Sequence, residues 1–198
     1  MISKPTRLFF ATVFLCAAAH ASTVFNFDSD GLGTATGFTD KVNGISATFS
    51  STGDPGGFVV YQSIFETLTG NVLGDPGPAG LDNLALTINF SNNLAAVVLD
   101  FATADFGTPS PFTLNAYQNS KLVGSATSTG EFLNGFTFPE GEISFSGATF
   151  NELVLSSTSM DFAVDNISVI SAAPEPAAGV LLAGGVMILL GIFVSNKQ

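Results

Sequence analysis

The stretch Leu84-Ala85-Leu86-Thr87-Ile88-Asn89-Phe90 decides the fold, because apolar side chains recur in it at every second position. Alternate residues of a β-strand point to the same face, so this pattern predicts a strand with one buried face. The same alternation returns at 97–101 and at 112–116. No stretch between the two ends of the chain shows sustained helical periodicity, and the body of the chain is therefore predicted to be all-β.

Further short β-like runs lie at 131–139, 142–145 and 149–155, and 117–123 is typical of a hairpin around Asn119-Ser120. Asp54-Pro55-Gly56-Gly57 and Asp75-Pro76-Gly77-Pro78 have the composition of reverse turns. About ten antiparallel strands result, which favours a jelly-roll β-sandwich over a seven-stranded immunoglobulin type. Residues 22–173 contain no tryptophan but many phenylalanines, and we expect these to fill the space between the sheets.

The charge of this body excludes several functions. Residues 22–173 contain fifteen Asp and Glu residues against two lysines, Lys41 and Lys121, and no arginine. Such a field repels phosphate backbones, so nucleic acid is not an expected partner. The only cysteine and the only histidine, Cys16 and His20, lie outside this range. A thiol nucleophile, a Ser–His–Asp triad and an ordinary zinc site are thereby excluded from it.

Residues 1–21 are typical of a signal peptide, with Lys4 and Arg7 before an apolar run at 8–19. Ala19-His20-Ala21 forms a small-x-small cleavage site, which makes Ser22 the expected new N-terminus. The Sec translocon and signal peptidase are then the partners of this segment. An uncleaved anchor is the alternative, but the run is short for a membrane span.

The other end carries a second apolar run, 177–194, which is eighteen residues long and uncharged. As a helix it would be about 27 Å long, enough for the core of a bilayer. Its glycines are common in transmembrane helices. The residues predict a transmembrane helix that anchors the domain 22–173 outside the membrane.

Pro174-Glu175-Pro176, the glycine-rich apolar run and the short tail together resemble the PEP-CTERM sorting domain. This resemblance covers 174–198 and implies processing near the tripeptide by an exosortase. The tail departs from the family pattern, because only Lys197 supplies a positive charge after the span. The resemblance implies display on the cell surface, or in the extracellular matrix, of a Gram-negative-type bacterium.

The last predicted strand contains a change of phase. Phe162 and Val164 share one parity, Ile167 and Val169 share the other, and the slip at Asp165-Asn166 predicts a β-bulge. An acidic first strand, 25–31, is expected to lie beside it. This arrangement resembles jelly rolls of the carbohydrate-binding-module type, in which a structural Ca²⁺ ties the first strand to the last. The resemblance implies Asp165, then Asp28 and Asp30, as ligands, while capping of backbone groups by Asp165 and Asn166 is an equal alternative.

We therefore expect a non-enzymatic, structural or adhesive component of an extracellular polysaccharide matrix. A carbohydrate-binding module is the alternative, with Tyr61 and Tyr117 as the candidate sugar contacts because no tryptophan is present. A glycoside hydrolase is the third interpretation. It would need two carboxylates about 5–9 Å apart, and the spacing of the candidates does not single out a pair among Glu66, Glu131, Glu140 and Glu142.

Overall fold

The computed structural model describes residues 22–52, 57–75, 84–159 and 161–172. Three predicted features lie outside the described residues: the signal peptide 1–21 with Ala19 and Ala21, the sorting motif Pro174-Glu175-Pro176 and the transmembrane helix 177–194. So do most residues of the two Asp-Pro-Gly turns. Within the described ranges, no helix is long and apolar enough to cross a membrane.

The described residues form antiparallel strands and no helix. The eleven strands in these ranges are β1 (Ser22–Phe25), β2 (Thr39–Val42), β3 (Ile45–Thr52), β4 (Val59–Gln62), β5 (Asn71–Gly74), β6 (Ala85–Thr103), β7 (Pro111–Gln118), β8 (Lys121–Thr129), β9 (Glu131–Phe132), β10 (Pro139–Ser157) and β11 (Phe162–Ser171). The all-β prediction is confirmed, and the strand number is close to the expected ten.

Two long strands, β6 and β10, belong to both halves of the fold. The first half of β6 pairs with β3, and its second half pairs with β11. β10 pairs with β6 along most of its length and with β7 near its end. The register of the β6–β10 pair shifts on either side of Phe150, where both strands pass from one half of the fold to the other. The result is a sandwich-like arrangement in which one continuous sheet folds over a shared core.

Phenylalanine rings fill this core, as expected. Phe101 stacks on Phe112 with 4.4 Å between ring centroids, and Phe49 stacks on Phe38 at 5.0 Å. The alternating residues of the 84–90 stretch are all buried. Burying an aromatic ring or a leucine contributes about 1.5–3 kcal/mol each, so this apolar face is the main source of stability.

The first and last strands pair as expected, with Ser22 opposite Ile170 and Phe25 opposite Ile167. The β11–β6 register shifts between Asp165 and Ser168, and Asn166 has a left-handed backbone with φ 49°. The predicted bulge is thus confirmed. It keeps Val164 and Ile167 both in the core although their separation breaks the alternation.

Four of the strand predictions differ from the structure. The first strand ends at Phe25, because Phe27 adopts φ 55° and the chain turns there. The runs at 84–90 and 97–101 are one strand, and so are those at 142–145 and 149–155. In the run 131–139, only Glu131–Phe132 and Pro139 are paired. The predicted 117–123 hairpin is confirmed, with positive φ at Asn119 and Ser120.

Candidate ligand-binding site

The loop of residues 63–70, between β4 and β5, packs on the outer face of the sheet. Leu68 is fully buried there in a small apolar cluster with Val72, Ala102 and Ala163. The loop closes on itself, because the Ser63 N–H donates to the Gly70 carbonyl at 2.8 Å and the Ser63 hydroxyl donates to the Leu68 carbonyl. Ala102 and Ala163 are register partners on β6 and β11, so the loop lies over the centre of this sheet.

Carboxylates from the sheet and from the β1 end hold this loop by its backbone. Glu140 on β10 is buried and accepts hydrogen bonds from the N–H groups of Glu66 at 2.8 Å and Thr67 at 2.6 Å. The Thr67 hydroxyl donates to the same carboxylate at 2.6 Å. Asp28 accepts the N–H of Asn71 at 2.9 Å, just after the loop. Hydrogen bonds to charged acceptors are about twice as strong as neutral ones, so this arrangement fixes the loop on the sheet.

Asp165 lies beneath the same segment, and its side chain is 1% exposed. Neither of its carboxylate oxygens completes a hydrogen bond of normal geometry. The pKa of Asp165 is raised to about 7, chiefly by burial and to a smaller extent by the nearby Asp28 and Asp100 carboxylates. The backbone N–H groups of Asn166 and Thr69 lower that pKa, but less than burial raises it. The folded protein therefore favours the protonated form of this side chain.

These contacts bring Asp28 close to Asp165. The backbone carbonyl of Asp30 accepts a hydrogen bond from the Asn71 side chain at 3.3 Å, and burial together with the neighbouring Asp40 raises the pKa of the Asp30 carboxyl. Both oxygens of Asp28 already accept N–H groups, from Asn71 and from the Asn26 side chain. Among the described residues, no three His, Cys, Asp or Glu side chains are placed to hold a metal together. Calcium takes six to eight oxygen ligands, so the carboxylates that the described residues bring together are too few to hold the ion by themselves.

A cleft of about 280 Å³ opens beside the loop, and we call it the aromatic cleft. Ala102 and Ala163 form its floor, while Tyr61, Phe65 and Phe138 line it with aromatic rings. Tyr61 and Phe65 also pack against the buried cluster of Leu68. The Tyr61 hydroxyl reaches over Gly74, where a Cβ would lie 2.9 Å from it. Only a residue without a side chain at position 74 leaves room for this ring.

The ring series continues onto the protein surface. Phe138 lies 5.8 Å from Phe65 and 5.4 Å from Phe106, measured between ring centroids. Phe106 is 78% exposed and Ile64, in the cleft lining, is 64% exposed. The loop that carries Phe106 is held in shape by Asp105, which accepts the Ser110 N–H at 2.8 Å and the Thr103 hydroxyl at 2.7 Å. Exposed apolar groups beside a cleft are typical of an interaction surface.

Two carboxylates, Asp75 and Asp161, complete the lining of the aromatic cleft. Burial raises the pKa of Asp161, and the Asp75 carboxylate raises it further. Burial, followed by the same two carboxylates, raises the pKa of the Tyr61 hydroxyl well above its usual value. Tyr61 therefore keeps its proton, and the cleft combines a hydroxyl, two carboxylates and aromatic faces.

A second cavity of about 360 Å³, the acidic pocket, lies on the other side of Thr67. Its acidic lining residues are Asp100, Glu131, Glu140 and Glu142. Three of the four glutamates considered for a glycosidase thus line one pocket. However, Glu140 already accepts hydrogen bonds from the Glu66 and Thr67 N–H groups.

The two tyrosines expected to contact sugar lie in different places. Tyr61 lines the aromatic cleft, whereas Tyr117 lies on β7 opposite Glu152 and lines neither described cavity. The sequence predicted every phenylalanine to lie in the core, so Phe65, Phe106 and Phe138 were not predicted as part of a site. A usable signal was present, because Phe65 and Phe106 lie in Gly-, Ser- and Thr-rich segments without alternation.

No protein-family model matches the chain, and comparison with curated proteins gives no match. Solved structures do resemble it. The K2 cleaved adhesin domain of Lys-gingipain superposes with a TM-score of 0.51 at 13% identity, over 77% of this chain and 99% of that domain. The K1 adhesin domain of Lys-gingipain from Porphyromonas gingivalis W83 gives 0.47 at 8% identity, with the same coverage.

A family 11 carbohydrate-binding module from Clostridium thermocellum, in complex with a β-1,3-1,4-mixed-linked tetrasaccharide, gives a TM-score of 0.41 at 13% identity. The match covers 80% of this chain and 100% of the module. Adhesin domains and carbohydrate-binding modules are therefore among the solved structures that resemble this chain. At these identities the likeness concerns the fold and not the ligand.

Proposed function

We propose that this chain is a non-catalytic, adhesive module of an exported protein, and that it holds extracellular polysaccharide in the aromatic cleft. The observation that carries the proposal is the cleft itself, with the rings of Tyr61, Phe65 and Phe138 beside the carboxylates of Asp75 and Asp161. Sugar sites combine flat apolar faces for the C–H surface of the ring with a few polar groups for its hydroxyls. This cleft contains both.

The site is also built on a rigid support. Its floor is the β6–β11 pair, and one wall is the 63–70 loop, which Glu140 and Asp28 hold by the backbone. A binding site that is formed before the ligand arrives loses little entropy on binding. This supports binding by the folded domain without a further step in which a loop closes over the ligand.

The direction of the strands supports a display function. Asp161, Phe162 and Ala163 at the start of β11 line the cleft, whereas β11 ends at Ser171 and pairs near that end with Ser22. The nine residue steps of β11 span about 30 Å at about 3.3 Å each. If the following segment anchors the chain as a PEP-CTERM-like tail, the cleft would lie at the end far from the membrane.

Binding of the full chain in detergent to an array of bacterial and plant polysaccharides tests this proposal. We expect reproducible binding that Tyr61→Ala weakens by about tenfold or more, since stacking residues contribute roughly 1–3 kcal/mol. Tyr117→Ala is the matched control, because Tyr117 lines neither cavity, and it should leave binding unchanged. An array without any binding would instead support a purely structural component of the matrix.

Absence of catalysis is part of the proposal and has its own test. Polysaccharides that bind should keep their length after long incubation with the chain, as judged by reducing ends. Release of oligosaccharides that Glu131→Gln or Glu142→Gln abolishes would contradict the proposal and would favour a glycoside hydrolase acting through the acidic pocket.

Processing by an exosortase and signal peptidase belongs to the same proposal. It rests on the residues at 174–198 and 1–21, and it predicts a mature chain that begins at Ser22. Mass spectrometry of the protein recovered from the cell surface tests both ends. A protein recovered from the cytosol with Met1 in place would contradict the export.

A further inference from the structure

The aromatic cleft is acidic as well as aromatic. Among the residues that the structure describes, its charged lining residues are Asp75 and Asp161, with no lysine or arginine. Between residues 22 and 173 the chain has only two cations, Lys41 and Lys121. They are exposed on β2 and β8, away from the cleft. The cleft therefore presents negative charge to any ligand.

The two carboxylates lie close enough to influence each other and the same third group. Asp75 raises the pKa of Asp161, and both carboxylates raise the pKa of the Tyr61 hydroxyl. Two like charges beside an apolar surface repel each other more strongly than in water. A cationic group placed between them would remove that repulsion and would gain two charge-assisted hydrogen bonds.

The rings favour the same kind of group. A cation within about 6 Å of an aromatic face is attracted by it, with about 0.5–2 kcal/mol of stabilisation. Tyr61, Phe65 and Phe138 surround the cleft, so an ammonium group here would have aromatic and carboxylate neighbours at once. Uronic acids and sulfated or phosphorylated sugars carry the opposite charge, and the cleft would repel them.

We propose that the cleft selects polysaccharide with free amino groups, and that the ammonium of one amino sugar is held between Asp75 and Asp161 beside the Tyr61 ring. This inference rests on the proposed function and names its ligand class. The volume of about 280 Å³ lies just below the range for small-molecule sites, about 300–1,000 Å³. The cleft thus accepts one or two sugar rings of a longer chain.

The test compares ligands that differ mainly in charge. Calorimetry on the full chain uses hexamers of glucosamine, N-acetylglucosamine and glucose, together with hexalysine. We expect the glucosamine hexamer to bind at least tenfold more tightly than the other three. This preference should shrink as the salt concentration rises from about 50 to about 500 mM, because screening by salt weakens the attraction between charges.

Asp161→Asn is the diagnostic variant, because it removes one negative charge from the aromatic cleft. Glu131→Gln is the control, because it removes one negative charge from the acidic pocket instead. Asp161→Asn should weaken glucosamine binding about tenfold or more, while Glu131→Gln leaves it unchanged. Both melting temperatures are measured alongside, so that loss of fold is not mistaken for loss of binding. An equal loss in the two variants would overturn the inference, because it would mean a general charge effect.

The outcomes also separate this inference from the proposed function. Equal binding of all three sugar hexamers, with loss on Tyr61→Ala, would support a polysaccharide site and overturn the selection of amino sugars. If hexalysine binds as tightly as the glucosamine hexamer, the cleft is assigned to basic protein segments, and the selection of amino sugars is overturned as well. No binding of any hexamer or array polysaccharide would overturn both.

Discussion

Asp165 and Asp100 lie directly opposite each other on the neighbouring strands β11 and β6, although both carry carboxyl groups. Glu142 on β10 is the next residue in the same row, opposite Asp100. Like charges at directly opposed positions destabilise a sheet. The Asn166 side chain partly offsets this by donating to Asp100 at 2.9 Å, whereas neither oxygen of the buried Asp165 has a hydrogen-bond partner of normal geometry.

The first prediction concerns the pH dependence that follows mainly from the burial of Asp165. The pKa of Asp165 is raised to about 7 in the folded protein, against 3.8 for an unperturbed aspartate. Below pH about 4 the group is protonated in both states and costs nothing. Between about 4 and 7 only the unfolded state ionises, so stability falls as the pH rises.

Above pH about 7 the full penalty is present, on the order of 2–4 kcal/mol. Asp165→Asn should therefore stabilise the protein at pH 8 and leave it nearly unchanged at pH 4. Urea unfolding at both pH values measures this. Glu142→Gln, an exposed member of the same row, is the control and should change little. A stability gain for Asp165→Asn that is equal at both pH values would contradict the assignment.

Calcium offers a second prediction about the same carboxylates. The sequence resemblance implies a Ca²⁺ site at Asp28, Asp30 and Asp165, but no three carboxylates of the described residues are placed together to hold a metal ion. We expect the melting temperature to shift by less than about 2 °C between excess calcium and chelator, since binding at a true site would stabilise the protein by mass action. A larger shift that Asp165→Ala removes would restore the calcium site.

A third prediction tests how the 63–70 loop is held. Gly70 has φ +76°, and a Cβ there would overlap the Asp28 carboxylate. Gly70→Ala must therefore displace Asp28 from the Asn71 N–H in addition to straining the backbone. Gly33→Ala is the matched control, because Gly33 has φ +83° and no atom within 4 Å of its added Cβ.

Backbone strain alone costs on the order of 1 kcal/mol for the Gly33 variant, and we expect the Gly70 variant to cost about 1–3 kcal/mol more. Hydrogen exchange should also become faster at 63–70 in the Gly70 variant only. Equal destabilisation of the two variants would show that the Asp28 contact does not hold the loop.

The features best predicted from the sequence are those that depend on the alternation of apolar and polar residues along a strand. The buried face of 84–90 and the phase slip at Asp165-Asn166 are both visible as parities, and the sheet follows them. Continuity of β6 was not predictable in this way, because Ser91-Asn92-Asn93 has the composition of a turn. Its side chains are exposed, and the strand bends there between the two halves of the fold.

The site was less predictable, because it depends on register between distant strands. Strand pairing places Asp100 opposite Asp165 and brings Glu140 to the Glu66 N–H. No local sequence pattern predicts either contact. Asp75, Asp161 and Phe138 are brought together in the same way by the ends of different strands. Tyr61 was identified only because residues 22–173 contain two tyrosines and no tryptophan.

The bulge itself gives a fourth prediction. Asn166 has φ 49°, a conformation that a β-branched residue adopts only at a cost of about 1–2 kcal/mol. Asn166→Val also loses the hydrogen bond to Asp100, so we expect destabilisation of about 2–3 kcal/mol in urea. Asn166→Gly keeps the backbone and loses only the hydrogen bond, and it should cost about 1 kcal/mol. Equal costs for the two would contradict a left-handed residue at this position.

The last prediction separates binding from stability at the cleft. Phe106 is 78% exposed but contacts the Phe138 ring, whereas Phe101 is fully buried and stacked on Phe112. Phe106→Ala should change the free energy of unfolding by less than about 0.5 kcal/mol, as exposed substitutions usually do. Phe101→Ala removes a core ring and should cost about 3–5 kcal/mol.

If the ring series of Phe65, Phe138 and Phe106 extends the sugar site, Phe106→Ala should still weaken polysaccharide binding several-fold. Thermal melting and calorimetry on the same samples measure the two effects. Unchanged affinity for long polysaccharide would confine the site to the cleft interior. Reduced affinity for long chains with unchanged affinity for a disaccharide would place Phe106 at a second, outer sugar position, where it contacts only ligands long enough to leave the cleft.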